Sequence, residues 1–129
     1  MRKTKLFVAS LLLISNSLAH AEWERFDENN DDIFYVEPTS VRYGTFLKVW
    51  VLTDHKTQSP HAKAGILSTK GHMGIDCTNA WFAELYISNH AGAMGTGRMI
   101  DSNSFSTESW MPIPPGTVVK WLADGFCRF

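Results

Sequence analysis

The sequence predicts a mainly β domain of the α+β class, in which one C-terminal helix packs on a sheet and is tied to it by a disulfide. Three observations predict this architecture. Most apolar segments after residue 21 are rich in β-branched and aromatic residues and alternate with the period of a strand. Thr117–Gly125 carries the one convincing helix signal, and the chain contains two cysteines, Cys77 and Cys127.

The first 21 residues have the composition of a cleavable export signal. Basic residues precede the apolar stretch Leu6–Ile14, which is too short to span a bilayer, and Ala19–Ala21 has the small residues of a cleavage site. We therefore expect a mature chain of residues 22–129 without a transmembrane segment, located in the periplasm, at the cell surface or outside the cell. No cysteine stands at the expected cleavage point, so a lipid anchor is not expected.

The mature chain has the length of one domain and is acidic. Three of the 12 Lys and Arg residues and none of the 13 Asp and Glu residues lie in the leader, which leaves a net charge of −4. Proteins that bind nucleic acids usually present a basic face. The charge balance therefore argues against a nucleic-acid partner.

Six segments are predicted to be strands, and the third has the strongest pattern. Thr45–Thr53 places apolar side chains on both of its faces, as in a central strand that is covered on both sides. For Asn79–Ser88 a helix remains an alternative, although the alternation favours a strand. The predicted strands are Glu22–Phe26, Ile33–Val36, Thr45–Thr53, Lys63–Thr78 with a break or bulge near Gly71 and Gly74, Asn79–Ser88 and Arg98–Phe105.

The C-terminal helix has a clear beginning and a clear apolar side. Pro114 and Pro115 oppose a helix before them, and Thr117 is a suitable N-cap. Trp121 and Leu122 fall on one side at helical spacing, so they are predicted to pack on the sheet. Gly125 or the residues after it should end the helix.

The two cysteines allow one intramolecular pairing, Cys77–Cys127. Cysteines of exported chains usually pair. A pair of free thiols or an intermolecular bridge remains open on the residues alone.

The sequence contains no recognisable catalytic or cofactor-binding motif. Gly92–Arg98 lacks the ending of a phosphate-binding loop and is predicted to be a hairpin loop. The histidines of the mature chain show no metal-ligand spacing, so neither a metal nor another cofactor is predicted. If the protein were an enzyme, Asp54, His55 and His61 would be the first residues to consider, because they lie in one predicted loop.

The five tryptophans divide into two groups by their surroundings in the sequence. Trp50, Trp81 and Trp121 lie in regular apolar patterns and are predicted to be core residues. Trp23 and Trp110 lie at less regular places and are predicted to be surface anchors for a protein partner.

Several short motifs together resemble those of the surface-adhesin protein E family of proteobacterial envelopes. The resemblance covers nearly all of the mature chain, and its most specific part is the Trp-x-Pro-x-Pro-x-Gly-Thr element before the helix. The matching elements are Trp23, Tyr35–Val41, Val49–Leu52, Asp76–Cys77, Met94–Gly97, Trp110–Thr117 and Cys127.

This resemblance implies a curved antiparallel sheet of about six strands, with the helix held on its concave side by the disulfide. It also implies binding to host extracellular-matrix or plasma proteins and a capacity to dimerise. The shared residues look structural, so no binding residue is transferred from the family. We therefore expect a non-enzymatic binding or adhesion protein of the cell envelope.

The alternative is a periplasmic protein that binds a small ligand in a deep pocket beneath the helix, or a hydrolase inhibitor that inserts a loop such as His90–Gly97 into its partner.

Overall fold

The computed structural model describes residues 22–105 and 109–127, and their main element is a seven-stranded antiparallel sheet. The first six strands lie side by side in chain order, so each consecutive pair forms a hairpin, and β7 pairs with the beginning of β5. The predicted leader, residues 1–21, lies outside the described residues. The strands are β1 Glu24–Glu28, β2 Asp32–Val36, β3 Leu47–His55, β4 Ser68–Asp76, β5 Trp81–His90, β6 Met99–Ser104 and β7 Met111–Pro112.

The C-terminal helix is confirmed. Helix α2 spans Val118–Phe126, and the Thr117 side chain accepts a hydrogen bond from the backbone N–H of Lys120 at 3.2 Å. The helix ends at Phe126, directly after Gly125, as predicted, and the backbone N–H of Cys127 donates the last hydrogen bond to Ala123 at 2.8 Å.

A second, very short helix was not predicted. Helix α1 comprises Pro60–Lys63. It lies at the end of the predicted loop that contains Asp54, His55 and His61, and its last residue is the first of the predicted strand Lys63–Thr78. Ser59 is its N-cap, and Pro60 occupies the first turn, where its missing N–H costs nothing. A single turn of four residues has no periodic apolar pattern, which explains why the sequence did not indicate it.

The hydrophobic core lies between α2 and the middle of the sheet. Leu122 is fully buried there against β3 and β4. Leu47 and Val49 of β3 face α2, whereas Leu52 is fully buried and points to the opposite side. The prediction of a central strand with apolar residues on both faces is therefore confirmed, although β3 begins and ends two residues later than expected. The buried core cluster comprises Val36, Leu47, Val49, Met73, Ile75, Leu122, Ala123 and Cys127.

The predicted disulfide joins the sheet to the end of α2. Cys77 follows β4, Cys127 caps α2, and their sulfur atoms are 2.08 Å apart. The Tyr43 hydroxyl adds a second tie, because it donates to the backbone carbonyl of Phe126 at 3.0 Å. The C-terminal end of the helix is thus fixed covalently and by a hydrogen bond from the β2–β3 connection.

One bulge changes which side chains share a face of β5. His72 pairs with Tyr86, but the next residue, Met73, pairs with Glu84, so Leu85 is an extra residue in β5. The strand prediction for this segment is confirmed. However, its strict alternation is wrong beyond Leu85, because a bulge shifts all following side chains to the other face. The bulge places Tyr86 on the same side of the sheet as Trp81.

Candidate binding surface

The face of the sheet opposite α2 carries a row of stacked rings, and we call it the aromatic face. Trp50, His72 and Tyr86 occupy directly opposed positions on β3, β4 and β5. The rings of Trp50 and His72 stack with centroids 4.5 Å apart, and Tyr86 meets Trp50 edge-on at 5.7 Å. All three side chains are partly exposed. The aromatic face is defined by Phe46, Trp50, His72, Trp81, Tyr86 and Trp110.

A second group of rings on this face surrounds a cavity of about 410 Å³. Phe46 and Trp110 meet edge to face, with centroids 4.9 Å apart and planes inclined by 73°. The edge of the Trp110 ring approaches β4 closely at Gly74, where a Cβ would stand 3.2 Å from the ring. The cavity is lined by Thr45, Phe46, Asp76, Asn79, Trp81 and Trp110.

The two predicted anchor residues both border the aromatic face. Trp110 lines the cavity just described, and Trp23 lines a separate cavity of about 270 Å³ together with Glu37, Trp50 and Lys70. Both side chains are partly buried. Their role in binding remains a prediction.

The prediction that Trp50, Trp81 and Trp121 are core residues is wrong. Trp50 is partly exposed and lies outside the buried core cluster. Trp81 is 43% exposed and Trp121 is 48% exposed. Trp121 covers the rim of the core by stacking on Phe26 of β1, with ring centroids 4.6 Å apart. Helical spacing identified the correct side of α2, but the smaller residues Leu122 and Ala123 fill the interior. Four of the five tryptophans consequently lie on or beside the aromatic face.

Charged side chains lie beside these rings, namely Glu37, Lys48, Lys70 and Asp76. The ammonium group of Lys48 stands 5.3 Å from the centroid of the Phe46 ring. Burial, and secondarily Lys48, lowers the pKa of His72. Burial, and secondarily Lys70, also lowers the pKa of His90, whose Nε2 lies 2.8 Å from the Ser88 hydroxyl. The lowered pKa favours the neutral form of the His72 ring that stacks on Trp50.

We expect the free energy of unfolding to contain a contribution that is lost on acidification. A lowered pKa in the folded state means that His72 and His90 favour folding most when neutral. This contribution is complete above the unfolded-state pKa of about 6.5, and it decreases as the pH falls from there towards the lower folded-state values. Urea unfolding at pH 7.5 and pH 5 measures the loss. The loss should be smaller in His72→Gln than in the wild type; an equal or larger loss in the variant would contradict this assignment.

On the side of the sheet that carries α2, five polar side chains form a hydrogen-bonded chain across five strands, which we call the polar network. His55 Nδ1 donates to Asp32 at 2.6 Å, and His55 Nε2 lies 2.8 Å from the Thr69 hydroxyl. Thr69 donates to Asn89 at 2.7 Å, and Asn89 donates to Asp101 at 2.8 Å. The network thus links β2, β3, β4, β5 and β6 in order.

The three residues named for a possible enzyme, Asp54, His55 and His61, do not form one site. The rings of His55 and His61 do come together, stacked with centroids 4.5 Å apart. Asp54, however, points away from them and accepts a hydrogen bond from the backbone N–H of Met94 at 2.9 Å. The carboxylate partner of His55 is Asp32, and this pairing was not predicted from the sequence. Within residues 22–105 and 109–127, no three potential metal-ligating side chains are grouped closely enough to hold a metal ion.

Fold and surface together define a class of small domains in which a disulfide and one helix cover one face of an antiparallel sheet while the other face presents aromatic side chains. The model of the Surface-adhesin protein E family matches residues 23–128. The chain belongs to this family. No curated protein sequence matches it at a significant level.

Solved structures of protein E from Haemophilus influenzae have the same fold. One crystal form superimposes with a TM-score of 0.59 at 13% sequence identity, covering 84% of this chain and 89% of that one. A second structure gives a TM-score of 0.57 at 14% identity, covering 84% and 86%. At such low identity the likeness concerns the fold alone. In the described part of this chain, neither helix has the length and apolar character that a membrane-spanning helix needs.

Proposed function

We propose that residues 22–129 form an exported, non-enzymatic protein of the cell envelope that binds a protein partner through the aromatic face. The observation that carries this proposal is the gathering of four tryptophans, His72 and Tyr86 on or beside one face of the sheet. Tryptophan and tyrosine dominate the binding energy of protein interfaces. Membership of a surface-adhesin family supports a host matrix or plasma protein as the partner.

Export is supported by two independent features of the chain. The leader has the composition of a signal peptide, and the Cys77–Cys127 disulfide belongs to oxidising compartments. Both fit a protein at the cell surface or in the periplasm.

The geometry argues against a small ligand beneath α2 and against an inhibitory loop. A cavity does lie between α2 and the sheet, but its volume is about 180 Å³. Sites for small molecules usually measure about 300 to 1,000 Å³. The loop after β5 also lies against β4 and does not project, because Ser68 donates to the carbonyl of Gly92 at 2.6 Å and accepts from the N–H of Gly95 at 2.8 Å. This arrangement weakens the case for an inhibitory loop.

Binding to immobilised matrix tests the proposal. Purified residues 22–129 should bind in a saturable way to plates coated with basement-membrane extract or with serum proteins. Trp50→Leu and Trp81→Leu, both on the aromatic face, should each weaken binding by about tenfold or more.

The matched control is Trp121→Leu, because Trp121 is as exposed as Trp81 but lies on α2. It should bind like the wild type. Absence of saturable binding to both coatings, or an equal loss in the Trp121 variant, would overturn the proposal.

A further inference from the structure

The cavity beside Trp110 combines three aromatic side chains with one carboxylate, and we call it the cage. Its aromatic walls are Phe46, Trp81 and Trp110, and its anionic group is Asp76. With a volume of about 410 Å³, it lies within the range of small-molecule sites. The stacked rings of Trp50, His72 and Tyr86 do not line this cavity.

Two walls of the cage meet at an angle. Phe46 and Trp110 are inclined by 73° and stand 4.9 Å apart, so they form two sides of a corner. Both rings lie close to Gly74 of β4, where a Cβ would stand 3.2 Å from Trp110 and 3.4 Å from Phe46. Trp81 is 43% exposed, so a ligand can reach it without unfolding the strand. The faces of aromatic rings carry partial negative charge and attract cations.

The carboxylate of Asp76 is held in place by the turn that follows β4. Its Oδ1 accepts hydrogen bonds from the backbone N–H groups of Thr78 and Asn79, each at 3.1 Å, and its Oδ2 accepts from the Asn79 side chain at 2.9 Å. The hydrogen bonds from Asn79, together with that from Thr78, lower the pKa of Asp76. The group therefore stays negatively charged throughout the neutral range.

From this arrangement we propose that the cage binds an organic cation, an alkylammonium or guanidinium group. Aromatic faces with an adjacent carboxylate are the surroundings that such cations prefer, because their apolar surface packs on the rings while the charge is balanced. The cation can belong to a free quaternary amine or to a basic side chain of a protein partner. The cage is part of the aromatic face, so this inference adds a ligand class to the binding function proposed above, and a small cation tests it without a protein partner.

The ammonium group of Lys48 lies beside one wall of the cage, Phe46, and would repel a bound cation there. Lys48 itself does not line the cavity. A bound cation is therefore expected to contact Trp81, Trp110 and Asp76 more than Phe46. Its binding should weaken with added salt, because the carboxylate is exposed to solvent.

Titration with choline chloride, followed by the indole N–H signals of the tryptophans in NMR spectra, tests the proposal. Choline should shift the signals of Trp81 and Trp110 in a saturable way in the millimolar range, and the signal of Trp121 should stay in place. The neutral isostere 3,3-dimethyl-1-butanol should bind about tenfold more weakly or not at all. N-acetyl-arginine amide is titrated in the same way as a probe for the basic side chain of a protein partner. Tighter binding of this probe than of choline would identify a protein side chain as the natural ligand.

Two variants connect the binding to the cage. Trp81→Leu and Asp76→Asn should each weaken choline binding about tenfold, whereas Trp121→Leu should leave it unchanged. Asn at position 76 keeps an oxygen that can accept the two backbone hydrogen bonds, so the turn is retained while the charge is lost. Equal binding of choline and its neutral isostere, or undiminished binding in Asp76→Asn, would overturn the proposal. Because no protein partner is present, this result is independent of the adhesion experiment.

Discussion

Replacing Cys127 with serine is expected to lower the free energy of unfolding by about 4 kcal/mol. The disulfide closes a loop with a sequence separation of 50, and the chain-entropy model assigns about this much to a loop of that length. In a domain of about 100 residues, the melting temperature should fall by more than about 15 °C. Thermal unfolding of residues 22–129, followed by circular dichroism, measures the change.

A redox control separates the covalent bond from the side-chain change. Wild-type protein in a reducing buffer should melt close to the Cys77→Ala/Cys127→Ala double variant, since both lack the bond. The reductant should have no effect on the double variant itself. A melting curve of the wild type that is the same under oxidising and reducing conditions would contradict the role of the bond.

Replacing His55 with leucine is expected to cost about 2 to 4 kcal/mol of folding free energy. The His55 side chain is only 4% exposed, and both of its ring nitrogens are engaged, by Asp32 and by Thr69. Removing one partner of buried hydrogen bonds leaves the other groups unsatisfied, and this is what makes the change expensive. Urea unfolding at constant pH measures the cost.

His61→Leu is the matched control, because its ring stacks on His55 from an exposed position. It should cost less than about 1 kcal/mol. A similar cost for both variants would show that stacking, and not the polar network, stabilises this end of the sheet.

The polar network also offers a check on the proposed lack of enzymatic activity. Asp32, His55 and Thr69 follow one another at hydrogen-bond distances, as do the acid, base and nucleophile of a hydrolase. We propose that the series is structural, since Thr69 donates onward to Asn89 and the series continues to β6. Thr69→Val should therefore lower stability without abolishing matrix binding. Ester hydrolysis by the wild type that is lost in this variant would contradict the proposal.

Local patterns were sufficient to predict the helix, the disulfide and the central strand. The N-cap Thr117 and the spacing of Leu122 depend on neighbouring residues only, and a chain with two cysteines permits one internal pairing. The bulge at Leu85 could not be predicted, because it follows from how β4 and β5 pair. The exposure of Trp81, which is paired with Pro112 of β7, likewise follows from the tertiary arrangement and not from local sequence.

The candidate binding surface was predictable in part. Trp23 and Trp110 were singled out because they lie outside regular patterns, and both border the aromatic face. The row of Trp50, His72 and Tyr86 depends on strand register, which the sequence does not state. The link between Asp32 and His55 joins residues 23 positions apart, and it likewise arises only when β2 and β3 are aligned.

The proposal that the aromatic face contacts the partner is tested most directly by observing all five tryptophans while a partner is bound. The chain carries its own internal reference, because Trp121 lies on α2 and the other four lie on or beside the aromatic face. The indole N–H signals of labelled residues 22–129 should be followed during addition of the soluble protein fraction of basement-membrane extract. We predict that the signals of Trp50 and Trp81 shift or broaden first, while that of Trp121 is unaffected. Selective change at Trp121, with the signals of the aromatic face unmoved, would contradict the claim that this face is the binding surface.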